Sequence, residues 1–266
     1  MKIAFIGGGN MGEALIASLL SRGVSAPEDI IASDISESRC RYLEERYRIA
    51  TTSDNRAAVA GRDMVVLAVK PQVLPGVMVG LKGALKPAQL VLSIIAGATV
   101  KTLVEGLGHR AVVRVMPNTP AQIDEGISVW TTTDAVTPQQ RELAGKVLGV
   151  TGEEIYVPDE ALLDMATAVS GSGPAYFFYF VEALADAAAD IGLPPDIAAR
   201  LVMQTFLGSA HLLQKSGKTP AELRKAVTSP GGTTAAALQA LEQGQFPALV
   251  TRAVRAALRR AQELGR

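Results

Sequence analysis

Gly7, Gly9 and Gly12 form a G-x-G-x-x-G string directly after the strand-like run KIAFI and directly before the helical run EALIASLLSRG. In that context each glycine has its own task. The first permits a tight turn, the second lets backbone approach a pyrophosphate, and the third lets a helix pack closely on its strand. The N–H groups at the helix start, around Asn10 and Met11, then face the anion. The expected ligand is a dinucleotide. Asp34 lies 22 residues beyond Gly12, at the end of a second strand-like run. A carboxylate there accepts hydrogen bonds from an adenosine ribose and repels a ribose 2′-phosphate. Ser33, Ser36 and Arg39 stand close by and favour that phosphate, while Asn55, near the end of an expected third strand, is placed to reach the adenosine end. These residues leave NADPH and NADH both open.

The chain is poor in the groups that oxidise alcohols. A hydroxyl proton needs a general base within hydrogen-bond reach, and the two histidines, His109 in a polar loop and His211 within a helical run, belong to no recognisable triad or metal-ligand cluster. No metal site is expected. A protonated imine makes a smaller demand, because its C=N group already carries the positive charge that attracts hydride. A site without histidine suits such a substrate.

Three unusual loops would build the pocket: AVKPQ at 68–72, MPNTP at 116–120 and SPGGTT at 229–234. In the last, Gly231 and Gly232 expose backbone N–H groups at a helix start, and Ser229, Thr233 and Thr234 add neutral donors. Plain helix capping accounts for one hydroxyl but not for the whole series. The spacing therefore points to a site for a small carboxylate. Lys70 is open to two readings, a group beside the cofactor or an exposed charge at a strand end.

The elements that position these loops follow from periodicity. Up to about residue 156, short runs at Ile3 to Ile6, Ile30 to Ala32, Met64 to Val69, Leu90 to Ile94, Val112 to Val115 and Ile127 to Trp130 alternate with helical patterns. That alternation predicts an α/β fold with a doubly wound parallel sheet of Rossmann type over residues 1–160. Met64 to Val69 is apolar at every position and belongs near the sheet centre. Residues 161–266 read as all helix, with long segments from Pro174 to Ile191, Pro194 to Gln214 and Phe246 to Leu264. The last is amphipathic, and its arginines at 252, 255, 259 and 260 read as a solvated face. The helix after Pro174 is apolar on nearly every side, which predicts burial against a second subunit.

Composition narrows the partners. Lys plus Arg and Asp plus Glu each number 26 in 266 residues, so no global field recruits nucleic acid or an anionic membrane. The partners expected are small molecules and a second copy of the chain. Cys40 is the single cysteine and can form no internal disulfide, which fits a reducing, cytoplasmic compartment. No secretory leader and no run long enough to span a bilayer is read in the sequence.

GGGNMG, AVKP, MPNTP, SGSGPAY (170–176) and SPGGTT, in this order and at these separations, resemble the signature series of pyrroline-5-carboxylate reductases over essentially the whole chain. The resemblance implies hydride transfer from NADPH to 1-pyrroline-5-carboxylate, giving L-proline. It implies that the nicotinamide end lies along Ala68, Val69, Lys70 and Pro71, with Asn118 closing the other side. It implies a substrate pocket at Ser229, Gly231, Gly232, Thr233 and Thr234, with the Thr234 hydroxyl on the ring nitrogen. SGSGPAY is expected to begin a helix, with Ser172 or Gly173 as N-cap and Pro174 in the first turn. An all-α dimerisation domain joins two chains, with a higher homo-oligomer left open. Asp34 departs from the pattern, since many members carry there a residue that tolerates the extra phosphate, and it keeps NADH in play.

Two other readings use the same residues. A two-domain dehydrogenase of the β-hydroxyacid type would need a buried catalytic lysine, and Lys215, Lys218 and Lys225 lie in polar stretches. A non-catalytic nucleotide sensor would share the nucleotide fold but has no use for a carboxylate pocket at 229–234.

Overall fold

The computed structural model describes residues 1–265. The chain divides into two compact units, one holding Met1–Pro174 with the stretch from Ala257 onward, the other Ala175–Ala256.

The first unit is built on one eight-stranded sheet of order β3-β2-β1-β4-β5-β6-β7-β8. The strands are β1 (Ile3–Ile6), β2 (Ile30–Ser33), β3 (Ala50–Thr52), β4 (Met64–Leu67), β5 (Leu90–Ser93), β6 (Val112–Met116), β7 (Gly126–Thr132) and β8 (Gly152–Tyr156). Strands β1 to β6 pair in parallel. The sheet is mixed at its far end, because β7 runs antiparallel to β6. Residues 117–125 are too few for a crossover, so the chain turns straight back. Helix α6 (Pro138–Leu148) then supplies a true crossover, and β8 pairs parallel to β7.

Both sheet faces are covered. Along β4, Met64 and Val66 enter one core cluster and Val65 and Leu67 the other. That is why the strand reads as an unbroken apolar run. Helix α1 (Asn10–Ser21) buries Leu15, Ile16 and Leu19 on the first side, and α4 (Leu74–Leu81) with α5 (Val100–Leu107) buries Leu74, Leu81, Leu103 and Leu107 on the second. Helices α2 (Glu37–Tyr47) and α3 (Asn55–Val59) flank β3. The chain begins at β1, runs outward through β2 and β3, and returns to β4 on the other side of β1. Strand order therefore reverses between β1 and β4, the place where open α/β sheets bind ligands.

The SGSGPAY stretch folds differently from a fresh helix start. Helix α7 (Ala161–Ala166) runs into a π-helical turn over Thr167–Gly171, and α8 (Gly173–Asp190) follows with Ser172 still in the right-handed helical region. Ser172 is thus no N-cap; its own N–H donates to the Thr167 carbonyl at 2.8 Å. Pro174 explains the wide turn, since it has no N–H and its ring crowds the carbonyl a turn earlier.

The second unit holds most of α8, α9 (Pro195–Ser216), α10 (Pro220–Ala226), α11 (Thr233–Gln243) and the first half of α12 (Phe246–Leu264). Phe206 meets Phe177 and Phe180 edge to face at 5.0 and 5.7 Å. Yet Phe178, Tyr179, Leu201, Met203, Leu207 and Leu212 stay exposed, so a single chain leaves these helices with uncovered apolar faces. Among the described residues, no helix is long and apolar enough to cross a membrane.

Candidate active site

The glycine loop closes the β1 end of the switch point. Gly7 sits at φ +100°, a region open to glycine and strained for other residues. Its N–H donates to the Ser33 carbonyl at 2.8 Å, and the Ala68 N–H donates to the Ile6 carbonyl at 2.8 Å, so β1, β2 and β4 end together. A Cβ on Gly7 would stand 2.7 Å from the Ala68 carbonyl oxygen, and one on Gly12 would stand 2.7 Å from the Gly7 oxygen. Both glycines are required by packing. Gly9 is different, because a Cβ there would meet nothing within 4 Å. It is the N-cap of α1 and places no side chain on the helix amides. Open space above uncapped N–H groups is what a pyrophosphate needs. The loop therefore fits a dinucleotide, with Asn10, Met11 and Gly12 as the first turn beneath the anion.

At the adenosine end, Asp34 accepts from the Gly8 N–H at 2.9 Å and from the Ser36 N–H at 3.0 Å. Ser33 donates its hydroxyl to the Asn55 side-chain oxygen at 2.7 Å. Asn55 lies at the start of α3, beyond β3, which ends at Thr52. Arg39 reaches across from α2, donating Nε–H to the Gly8 carbonyl and Nη2–H to Glu13. Glu13 also accepts from the hydroxyls of Tyr42 at 2.9 Å and Tyr47 at 2.8 Å. Burial alone would push the Glu13 carboxyl up, but bonds from Arg39, Tyr47 and Tyr42 outweigh it and hold the group below the ordinary carboxylate range. Sequence reasoning named Arg39 and passed over Glu13 and Gly8. Gly8 carried a signal, as the middle of three consecutive glycines, and its Cβ would stand 2.7 Å from Leu43 Cδ1. Glu13 carried none, since Arg39 is 26 residues away in sequence.

Two further loops leave the same sheet edge. Ala68, Val69 and Lys70 follow β4, with Lys70 exposed and Pro71 opening a short 3-10 turn. Ala68 lies directly against Gly7 and Gly12, which brings the AVKP segment to the floor of the glycine loop. Asn118 follows β6, and its side-chain oxygen accepts from the Ile127 N–H at 2.9 Å, fixing the start of β7. Its amide NH2 is the end suited to a ligand.

The turn at 229–234 belongs to the second unit. Gly231 adopts φ +70°, and the Gly232 N–H donates to the Ser229 carbonyl at 3.1 Å. A Cβ on Gly232 would collide with Ser229 Oγ. Gly232 is the N-cap of α11 and supplies no side-chain cap, so the amides at Thr233 and Thr234 begin the helix uncapped. The neighbouring α10 is closed by a full capping box between Thr219 and Glu222. Capping is thus not what Ser229, Thr233 and Thr234 do. Thr234 is half-buried, while Ser229 and Thr233 are exposed.

Neither histidine joins these loops. His109 is buried with Nε2 2.8 Å from the Gln89 carbonyl oxygen, and His211 is exposed on α9. Among the described residues no group of His, Cys, Asp and Glu could hold a metal ion.

Comparison with known proteins bears on the whole chain. Residues 160–264 match the family described as pyrroline-5-carboxylate reductase dimerisation, and residues 2–97 match the NADP oxidoreductase family described as coenzyme F420-dependent. Pyrroline-5-carboxylate reductase of Pseudomonas aeruginosa is 45% identical over 99% of this chain and 96% of its own. That of Synechocystis is 42% identical over 100% and 99%. Among solved structures, a pyrroline-5-carboxylate reductase from Coxiella burnetii superposes with a TM-score of 0.91 at 37% identity, covering 100% of this chain and 98% of that one. The Plasmodium falciparum pyrroline carboxylate reductase with NADP bound gives 0.90 at 31%, covering 100% and 98%. Prephenate dehydrogenase of Aquifex aeolicus, at 16% identity and a TM-score of 0.56, shares the fold alone. With relatives this similar over its full length, and with the loops above in place, the chain belongs to the pyrroline-5-carboxylate reductase family.

Proposed function

We propose that this protein is an NADPH-dependent pyrroline-5-carboxylate reductase, forming L-proline from 1-pyrroline-5-carboxylate in the last step of proline biosynthesis. The observation that carries the reading is the uncapped start of α11 at Ser229–Thr234, a donor cluster made for a small carboxylate, in a chain whose α1 start is equally open. When bound, NADPH supplies a hydride, and NADH remains open because of Asp34.

The chain's residues bind and orient. Gly7, Gly9, Asn10, Met11 and Gly12 cradle the pyrophosphate, and Ser33, Asp34 and Asn55 take the adenosine end. Ala68, Val69, Lys70, Pro71 and Asn118 line the nicotinamide end. Ser229, Gly231, Gly232 and Thr233 hold the substrate carboxylate through N–H and O–H donors. Thr234 is the catalytic residue, its hydroxyl hydrogen-bonded to the ring nitrogen so that one face of the C=N bond is presented. Hydride adds to the imine carbon, the C=N pair moves to nitrogen, and the nitrogen keeps the proton it carried as an iminium. No histidine is needed for this balance.

We assign residues 1–160 to dinucleotide binding and 161–266 to dimerisation and substrate binding. The exposed apolar faces of α8 and α9 support a homodimer through the C-terminal helices, with room for a higher homo-oligomer. The free thiol of Cys40 supports a cytoplasmic location. The test is loss of reduced-nicotinamide absorbance with pyrroline-5-carboxylate and NADPH or NADH in parallel. Turnover with either is expected; cofactor binding without turnover would refute the reductase reading and favour a sensor.

A further inference from the structure

The mouth of the glycine loop carries two opposed charges on either side of Gly8. A Cβ built on Gly8 would stand 3.5 Å from Asp34 Oδ2 and 3.6 Å from Arg39 Cγ. The two groups therefore flank one residue of the turn that receives the adenosine ribose. Asp34 gives lone pairs to the Gly8 and Ser36 amides. Of the roughly four acceptor sites on a carboxylate about two remain. Those suit ribose hydroxyls and repel a phosphate.

Arg39 is the cation on the other side, and it is already engaged. Its Nη2 donates to Glu13, and its guanidinium lies 4.8 Å from the centroid of the Tyr42 ring. Glu13 is fixed in turn by the Tyr42 and Tyr47 hydroxyls, with Arg46 Nε at 3.9 Å. The Arg39 and Glu13 side chains are 24% and 19% exposed, so salt screens the pair less than it would a surface pair.

We propose that Glu13 sets the choice between the phosphorylated and unphosphorylated nicotinamide dinucleotide by withholding the Arg39 guanidinium from the ribose 2′-phosphate. Glu13 is a positioning residue that acts through Arg39, and the inference rests on the reductase reading of the loop. A 2′-phosphate must compete with Glu13 for Arg39, whose Nε and Nη2 donors are already engaged by the Gly8 carbonyl and Glu13 and whose charge that carboxylate already pairs, and it meets the Asp34 carboxylate as it does so. The unphosphorylated dinucleotide needs no such exchange and gains Asp34. Preference for the phosphate is therefore small with Glu13 present and grows when its charge is removed.

The experiment is calorimetric titration of the full-length protein with NADP+ and with NAD+, without substrate, reading the ratio of the two Kd values. Glu13→Gln is expected to move that ratio toward NADP+ by about five- to tenfold, the size of one charge-assisted bond in part. Arg39→Ala is expected to move it toward NAD+, and the double variant should match Arg39→Ala, an outcome that general loosening of the loop would not produce. A Glu13→Gln ratio within twofold of the parent overturns the proposal, as does an equal gain in the Arg39→Ala background. Should Glu13→Gln fail to fold, an unchanged ratio in Arg39→Ala alone overturns it too. Turnover of pyrroline-5-carboxylate on the same preparation reports on the reductase reading separately, since the Kd ratio is decided without substrate.

Discussion

Replacing Gly9 by alanine separates fold from cofactor site in one residue. Gly9 has φ −66° and ψ −178°, extended backbone that alanine adopts without strain, and its Cβ would meet nothing within 4 Å. The best caps exceed alanine by about 1 kcal/mol and glycine by only a few tenths, so alanine in place of Gly9 costs roughly 0.5–1 kcal/mol as N-cap, and the lost freedom of the unfolded chain returns about 0.4–1 kcal/mol. Stability should therefore stay within about 1 kcal/mol of the parent. The methyl group nevertheless enters the space above the α1 amides, where the pyrophosphate would lie. Loss of close approach there should weaken NADPH binding by about ten- to a hundredfold, or about 1.4–2.8 kcal/mol. Gly12→Ala is the contrast, because its Cβ would press to 2.7 Å on the Gly7 oxygen and 3.3 Å on Ala68 Cβ. Backbone must move, and both stability and binding should fall. Thermal unfolding with and without NADPH, together with fluorescence titration of the cofactor, reads both quantities. A Gly9→Ala protein that binds NADPH within twofold of the parent would refute the placement of the pyrophosphate.

Thr234→Ala should lower kcat/KM by about tenfold or more, the loss expected for one positioned polar contact at the reacting centre; unchanged steady-state kinetics would remove Thr234 from the mechanism. Phe178→Asp, on the exposed apolar face of α8, should convert the dimer to monomer in light scattering. A parent chain that is monomeric at micromolar concentration would sink the interface itself. Arg114 on β6 is buried and bonds Glu160 at 2.7 Å and Asp164 at 2.9 Å, pinning α7. Arg114→Leu leaves two carboxylates without their cation and should cost about 3 kcal/mol, discounted because both acids are partly exposed. A midpoint shift below a degree in thermal unfolding would contradict that.

What the sequence disclosed and what it hid divide along range. The glycine loop was legible because its turn, anion site and helix start lie within six residues, Gly7 to Gly12. The central strand was legible because both of its faces are buried. Strand β3 has three residues, and β8, GEEIY, is an edge strand whose glutamates are exposed. Neither offers the apolar alternation that marks a strand. The reversal at β7 depends on loop length and not on residue pattern. The π turn before Pro174 hides behind residues that elsewhere would start a helix. His109 reads as a loop residue and is buried, its ring held to the Gln89 carbonyl of an adjoining loop.

The treatment of helix starts links the two candidate ligand sites without any appeal to resemblance. Ser36, Asp54, Thr99, Thr137 and Thr219 each place a side-chain oxygen on the first amides of α2, α3, α5, α6 and α10. Helices α1 and α11 instead take glycine as N-cap, at Gly9 and Gly232, and leave those amides bare. Glycine at an N-cap is only a few tenths of a kcal/mol worse than serine or aspartate, so the open start is tolerated at small cost. A capping side chain would gain little stability and would occupy the N–H groups that an anion needs. Helices α4, α7 and α9 also begin without a side-chain cap, at Val73, Glu160 and Pro194. What sets α1 and α11 apart from them is the glycine, which puts no side chain of its own beside amides that the proposed function gives to a pyrophosphate at one and a carboxylate at the other.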